Sequence, residues 1–220
     1  MKRLSILFPI LLLALSSCSD STDGASSVAG WRIPGVGTQF MFVNSYSNGI
    51  TGNDTLLVTV QQTGQNNGGQ SGVVVIYQDD YNGSIGISDY TVQHNGDLWM
   101  SDQVNNNFEV TNWDPYPTGS HDTLTESTTD SSSVPGYKVL TTDSNYYVDS
   151  EDISTPAGSF STIRVESRII QKLLDSYNRL SAITIDTADY WFAPSAGYYV
   201  KAMVRGTDNY TSTLVKYSPQ

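Results

Sequence analysis

The chain has 220 residues, of which 11 are basic and 22 acidic, for a net charge of −11, and it holds a single cysteine. A field of that sign repels nucleic acid and anionic headgroups, and one cysteine excludes an intrachain disulfide. Charged residues make up only 15% of the chain and aromatics 11%, so its polarity comes mainly from Ser, Thr, Asn, Gln and Gly.

The first element is an address. Lys2 and Arg3 precede an apolar run from Ile6 to Leu15, about the length of a signal h-region and too short to span a bilayer. The run ends in Leu15-Ser16-Ser17-Cys18. This resembles the lipobox of bacterial lipoproteins, in which the cysteine thiol receives diacylglycerol and becomes the new N-terminus. The resemblance implies a signal peptide over residues 1–17, lipidation at Cys18, and anchoring to the outer membrane, at its periplasmic face or at the cell surface. Ser19 rather than aspartate follows the cysteine, while Asp20 and Asp23 stand close by; the two sites are not separated by these residues. A plain secretory signal is the competing reading, opposed by the position of the only cysteine. A thiol carrying lipid is neither a nucleophile nor a metal ligand, and several acyl chains hold a protein on a membrane durably where one is marginal. Cleavage before Cys18 removes Lys2 and Arg3 and no acid, taking the net charge from −11 to −13. No later apolar run approaches the ~20 residues a span requires.

Residues 18–30 are rich in Ser, Asp and Gly and read as a flexible tether. A single antiparallel β domain is expected over 31–220. Phe40 to Val43 reads as its first strand and Thr55 to Gln62 as the next, with a polar loop from Gly64 to Gly72. Val73 to Tyr77 is a continuous apolar run, expected to be buried on both sides or central. Asn82-Gly83 and Asn95-Gly96 are hairpin signals, with strands over Ile85 to Gln93 and from Leu98. Phe108 to Trp113 reads as a strand stopped by Asp114-Pro115-Tyr116-Pro117, since proline lacks the ladder donor. Thr118 to Ser133 reads as an exposed edge strand or a loop. Tyr137 to Thr142 and Tyr146 to Val148 read as a hairpin.

After the Pro156–Gly158 turn, Ile163, Val165 and Ile169 alternate with Arg164, Glu166 and Arg168, a half-buried strand. Ile170, Leu173, Leu174, Tyr177 and Leu180 then recur at helical spacing, which predicts a short amphipathic helix, with a strand and a loop as the competing reading. Ser181 to Thr187 returns to strand with Ile183 and Ile185 expected inward. Beyond Pro194 and Gly197, Val200, Ala202 and Val204 share one face and Lys201, Met203 and Arg205 the other. Thr211 to Tyr217 is the last strand. The fold class expected is mainly β: a curved antiparallel sheet, a half-barrel or open barrel, with one short helix.

Two motifs of the last third carry a further resemblance. Thr155-Pro156-Ala157-Gly158 leads into one strand, and Trp191-Phe192-Ala193-Pro194 with Gly197 leads into Val200-Lys201. Together they resemble bacterial envelope proteins of unknown function similar to the lipoprotein-localisation carriers. That resemblance implies a strongly curved antiparallel sheet and no catalytic residues.

Candidate sites are sparse. His94 sits beside a hairpin turn and His121 in a polar stretch, and metal sites draw on several such ligands; no metal, cofactor or catalytic residue is expected. No Gly-x-Ser-x-Gly elbow, P-loop or dinucleotide fingerprint is present. Asp143, Asp149, Glu151 and Asp152 gather around Tyr146-Tyr147, with Asp79-Asp80 as a second acidic pair. They read as solvated loops, the calcium-binding loop pattern being absent. Fourteen tyrosines and four tryptophans are expected mostly in the core, with Trp99, Trp113 and Trp191-Phe192 on or beside strands. The function these features point to is non-enzymatic: a cell-envelope lipoprotein held at the membrane through Cys18, with a lipid-like apolar or amphipathic ligand on its curved sheet. Two alternatives stand beside it: a glycan-binding or adhesion module using exposed aromatics, and a structural partner of another envelope protein, marked by an apolar patch or an open edge strand.

Overall fold

Along Gln39–Tyr46 buried side chains alternate with more exposed ones, as a strand with one face on a core requires. The same period organises the whole of the computed structural model. It describes residues 27–28, 30–47, 53–67, 70–81, 84–92, 98–101, 114–116, 125–131, 137–207 and 209–220; between 64 and 136 it gives strand backbone and the Leu98 side chain. Fourteen strands lie among these residues: β1 (Ser27–Val28), β2 (Trp31–Arg32), β3 (Gln39–Tyr46), β4 (Asn53–Asn67), β5 (Gln70–Tyr81), β6 (Ser84–Val92), β7 (Leu98–Ser101), β8 (Asp114–Tyr116), β9 (Thr125–Ser131), β10 (Tyr137–Thr155), β11 (Gly158–Asp175), β12 (Leu180–Ala193), β13 (Tyr198–Arg205) and β14 (Tyr210–Ser218).

Twelve of them form one sheet, in the order β8-β7-β6-β5-β4-β3-β14-β13-β12-β11-β10-β9. Every neighbouring pair is antiparallel. Strands adjacent in the sheet are adjacent in the chain, except at the middle, where β3 meets β14. Register slips at Val60/Gln62, Tyr147/Asp149, Trp191/Phe192 and Leu214/Lys216 are bulges, which bend a strand and raise its twist. The sheet curls until β8 comes near β9 and β10, giving the curved antiparallel half-barrel expected from the sequence.

The concave face of its middle strands is a packed core. Phe40, Phe42, Val58, Val165, Phe192, Val200 and Leu214 are fully buried there. Phe42 stacks on Tyr199 with ring centroids 4.8 Å apart, and Phe40 on Tyr217 at 5.2 Å. Trp31 and Ile33 close one end of this core. The Arg32 N–H donates to the Pro194 carbonyl at 2.8 Å, and the Trp31 ring meets Phe192 edge-on at 6.3 Å. The turn at 194–197 that joins β12 to β13 is thereby fastened to the first residues of the domain. Val165, Val200 and Ala202 all lie inward, as their parity predicted.

Four local expectations are corrected. The helix expected around Ile170–Leu180 is absent: these residues form the end of β11, a turn, and the start of β12. The helical spacing is overridden because Asp175 Oδ1 accepts the Tyr177 and Arg179 N–H groups, at 2.8 and 2.9 Å, and Asn178 adopts φ 59°. That turn lets β12 run back along β11 and pair its backbone. Ile183 and Ile185, expected inward, are exposed, because the sheet beside them has ended. The hairpin expected within 137–148 is one uninterrupted strand, β10, which takes β9 and β11 as partners on its two sides. The loop expected over Gly64–Gly72 is largely ladder, as β4 runs to Asn67 and β5 starts at Gln70.

The proline segment expected to end a strand holds one itself, the three-residue strand β8 at the edge of the sheet, where sheets tolerate proline. Tyr81 and Ser84 are register partners, which leaves the two residues of the expected Asn82-Gly83 hairpin between them. That pair, Asn95-Gly96 and the strand expected at Phe108–Trp113 lie outside the described residues.

Candidate functional site

Cys18, His94, His121 and Trp113 also lie outside the described residues. Trp99 falls in β7, and Asp79 and Asp80 in β5. The acidic cluster expected around Tyr146-Tyr147 is on β10 rather than on a loop, and the bulge at Tyr147/Asp149 divides it. Asp149 and Glu151 stand opposite Arg164 and Thr162, on the convex face; Asp143 and Asp152 stand opposite Ile169 and Ser161, on the other. Among the described residues no group of three or more His, Cys, Asp or Glu side chains is placed to hold a metal ion.

The convex carboxylates serve a cluster around Trp191. Alternation along β12 sends Phe192 into the core and Trp191 outward, yet the indole is buried. The Lys201 ammonium lies 4.5 Å from its ring centre and the Arg164 guanidinium 5.7 Å, the attraction of a cation for an aromatic face. Trp191 Nε1 donates to Glu151 Oε1 at 2.6 Å. Arg164 also reaches Asp189 at 3.3 Å, and Arg205 donates to the other oxygen of Asp189 at 2.8 Å. Asp189 is buried but held between two guanidiniums, which is how a carboxylate is kept out of water. Nearby, Tyr146 donates to Glu166 at 2.8 Å; burial first, then that carboxylate, push its hydroxyl above the ordinary tyrosine range. Most of these groups pair with one another, while Arg164 Nε and Asp149 Oδ1 are buried without a hydrogen bond. They seal the convex face, and cations cover the Trp191 ring that a sugar would need open.

The open surface is elsewhere. β13 pairs with β12 only as far as Arg205 opposite Thr187, while β10, β11 and β12 continue to Tyr137, Asp175 and Leu180. With β9, which pairs with β10 over Val139–Asn145, they form an arm extending past the end of β13. Tyr177, Leu180, Ile183 and Ile185 are 77, 58, 51 and 43% exposed there. Register sorts the charges of the arm. Lys138, Ile170, Lys172, Leu174, Ile183 and Ile185 share one face; Asp143, Asp175 and Asp186 share the other with Ile169. This arm is what sequence reasoning missed, because its aliphatic spacing imitates a helix. The signal that could have exposed it was Asp175 followed by Asn178, a turn pair in the middle of the expected helix.

The tip of the arm is held by charge. Arg179 donates its backbone N–H and its Nε to Asp175, at 2.9 and 2.8 Å, and these bonds hold the Asp175 carboxyl below the usual aspartate range. The stabilisation it gives the turn is therefore present above the ordinary aspartate pKa and is lost as pH falls through the lowered folded value. In an acid titration followed by NMR, the Tyr177 and Arg179 amide shifts should move with a midpoint below that of an unstructured peptide carrying residues 173–181. Equal midpoints would contradict the bonding described.

No family model matches the chain, and no curated protein does. Among solved structures, the fold is similar to that of a putative lipoprotein from Parabacteroides distasonis, with a TM-score of 0.61 at 13% identity over 88% of this chain and 100% of the other. A putative exported protein with a YmcC-like fold from Bacteroides fragilis aligns with a TM-score of 0.49 at 14% identity, over 84% of this chain and 97% of that one. At such identity the first likeness is one of fold: the curved sheet is shared.

Proposed function

We propose that this protein is a non-enzymatic lipoprotein of the bacterial cell envelope, anchored at the outer membrane through Cys18, that works by engaging another envelope component with the arm of β10–β12. The address rests on Leu15-Ser16-Ser17-Cys18, and the description of the Parabacteroides neighbour as a lipoprotein agrees with it. The observation that carries the rest is the arm itself, three aliphatic side chains about half exposed beside a strand edge that has no neighbouring strand among the described residues. A soluble domain rarely leaves such an edge bare without use.

Two experiments test the anchor and the absence of catalysis. Cys18→Ser should move the protein from the membrane to the soluble fraction; an unmodified Cys18 in wild-type protein that is already soluble would refute the anchor. His94→Ala and His121→Ala should leave stability and phenotype unchanged, whereas loss of function in a stably folded variant would point to an enzyme. Engagement is tested in cells with a photo-crosslinking amino acid at Ile183 and, as a control, at Ser159 on the opposite end of β11. A discrete adduct from position 183 alone is expected; no adduct, or the same adducts from both, would remove the arm from the account.

A second reading, an amphipathic ligand on the concave face, draws on one observation. Asn44 and Ser212 are register partners on that face, both are buried, and Asn44 Oδ1 and Ser212 Oγ have no hydrogen-bond partner. Such atoms are costly unless something satisfies them, and a polar ligand group would. Against it stands the aromatic packing of Phe40, Phe42 and Phe192, which fills the neighbouring face. Mass spectrometry of organic extracts of the purified protein would decide this reading.

A further inference from the structure

We propose that the concave face, where it leaves the aromatic core, holds an uncharged hydroxyl-bearing group of the kind a neutral saccharide carries, and that Asn44 and Ser212 accept its hydroxyl hydrogens. The proposal rests on the second reading above and adds the chemistry of the ligand.

Register lays out the site. One row crosses the concave face from Asn44 on β3 through Ser212 on β14 and Ala202 on β13 to Tyr190 on β12. Two residues along β3 and β14, away from the core, Tyr46 and Tyr210 stand together with ring centres 5.6 Å apart. The middle of the row is therefore short, serine beside alanine, between tyrosines. Side chains just fill a curl of about eight strands, and this sheet has twelve. Asn44 and Ser212 are only 6 and 3% exposed, and neither Asn44 Oδ1 nor Ser212 Oγ has a hydrogen-bond partner.

Those two oxygens and the charge around them select the group. An amide oxygen only accepts, so the partner that Asn44 lacks is a donor. An alkyl chain has none to give and would leave both atoms as costly as before. An anion fails on charge. Register puts every lysine and arginine of β10–β14 on the convex face, and β3 and β4 carry none. A phosphate or carboxylate buried beside Ser212 would meet no cation of these strands, in a chain of net charge −11. An ammonium needs a carboxylate. Asp54, the register neighbour of Asn44 on β4, is already engaged, and a charge buried against an amide and a hydroxyl alone is expensive. A neutral hydroxyl donates to both oxygens and brings no charge, and a sugar ring adds C–H faces for the tyrosines to pack against.

The test uses the mature chain, refolded from urea with each probe present because the two oxygens are closed to solvent. The probes are methyl β-glucoside, octyl β-glucoside below its micelle concentration, octyl phosphate and octylammonium, read by thermal melts and by equilibrium dialysis. Octyl β-glucoside should bind and raise the melting temperature, with the two ionic probes about tenfold weaker or worse, the worth of one good hydrogen bond. Equal binding of methyl β-glucoside would assign the site to a free saccharide, and its failure to a lipid-borne one; the hydroxyl chemistry stands in both. Ser212→Ala removes an unpaired oxygen and little else. It should raise the melting temperature of the ligand-free protein by about 2–4 °C and weaken glucoside binding about tenfold, a pairing of gain and loss that an unfolded variant cannot give. Thr213→Ala, the next residue of β14 and on the convex face, should leave binding unchanged. A fall in melting temperature for Ser212→Ala would mean that its oxygen is satisfied within the protein and would overturn the proposal. So would unchanged glucoside binding in that variant, no glucoside binding in wild type, or tighter binding of either ionic probe. Octyl phosphate binding without glucoside binding would keep an amphipathic ligand on the concave face and remove only this hydroxyl chemistry.

Discussion

Gly197→Ala should lower the melting temperature by roughly 10 °C, the equivalent of about 3 kcal/mol in a domain of this size. Gly197 holds φ +73° in the turn between β12 and β13, and a Cβ there would run into the Arg32 carbonyl and come within 2.8 Å of Pro34 Cδ. The left-handed conformation alone costs a non-glycine residue about 1–2 kcal/mol, and forced overpacking adds about 1–3. The obstacle is backbone on one side and a proline ring on the other, so neither can rotate away. Gly30→Ala separates the two terms. Gly30 has φ +86° with nothing within 4 Å of an added Cβ, so only the conformational cost should appear, about 1–2 kcal/mol. Equal losses in the two variants would mean that the 194–197 turn is not pressed against the 31–34 segment.

Val200→Asp should be harsher, costing about 4 kcal/mol or more at pH 7, because an unpaired carboxylate has no place among apolar groups. Val200 is fully buried, next in sequence to Tyr199, whose ring stacks on Phe42. The introduced acid should have its folded pKa raised by burial. Its folded state then binds a proton more tightly than its unfolded state, so the penalty should shrink as pH falls through the raised value and level off below the ordinary aspartate range. Lys201→Asp, one residue on and facing the other way, should cost about 1 kcal/mol through the lost contact with Trp191. Chemical denaturation at pH 4 and pH 7 reads all of this. Similar losses at both positions would mean that the two faces of β13 are equally covered.

The fold class was legible because period-two patterning is strong wherever one face is buried. In β3, β13 and β14 the parity of Phe40, Phe42, Val200, Ala202 and Leu214 matches their burial residue by residue. Legibility ended where burial ended. In the arm both faces of β11 and β12 meet solvent, so nothing forces alternation, and Ile170, Leu173 and Leu174 fell into a spacing that a helix would also use. The acidic residues of β10 misled for the opposite reason. Their charge reads as a loop, but Arg164 lies across the ladder from Asp149 with its Nη1 3.9 Å from the carboxylate, a contact that only pairing with β11 creates. The candidate surface was therefore hidden in the one region where local pattern and tertiary setting disagree.

The pairing of β3 with β14 sets the order in which this protein can be completed. Ser47 and Asn209, which hydrogen-bond beside that seam, are 162 residues apart in the chain. Closing so long a loop is thermodynamically cheap, since each doubling of length adds only about 0.6 kcal/mol, but contacts at such separation are slow to find. A chain made from its N-terminus has β3 and β4 long before it has β14. Until residues 210–218 arrive, one whole edge of β3, with Phe40 and Phe42 on its inner face, has no strand beside it. The seam at the middle of the finished sheet is thus the last to form, and the two halves it joins must each wait as open-edged meanders.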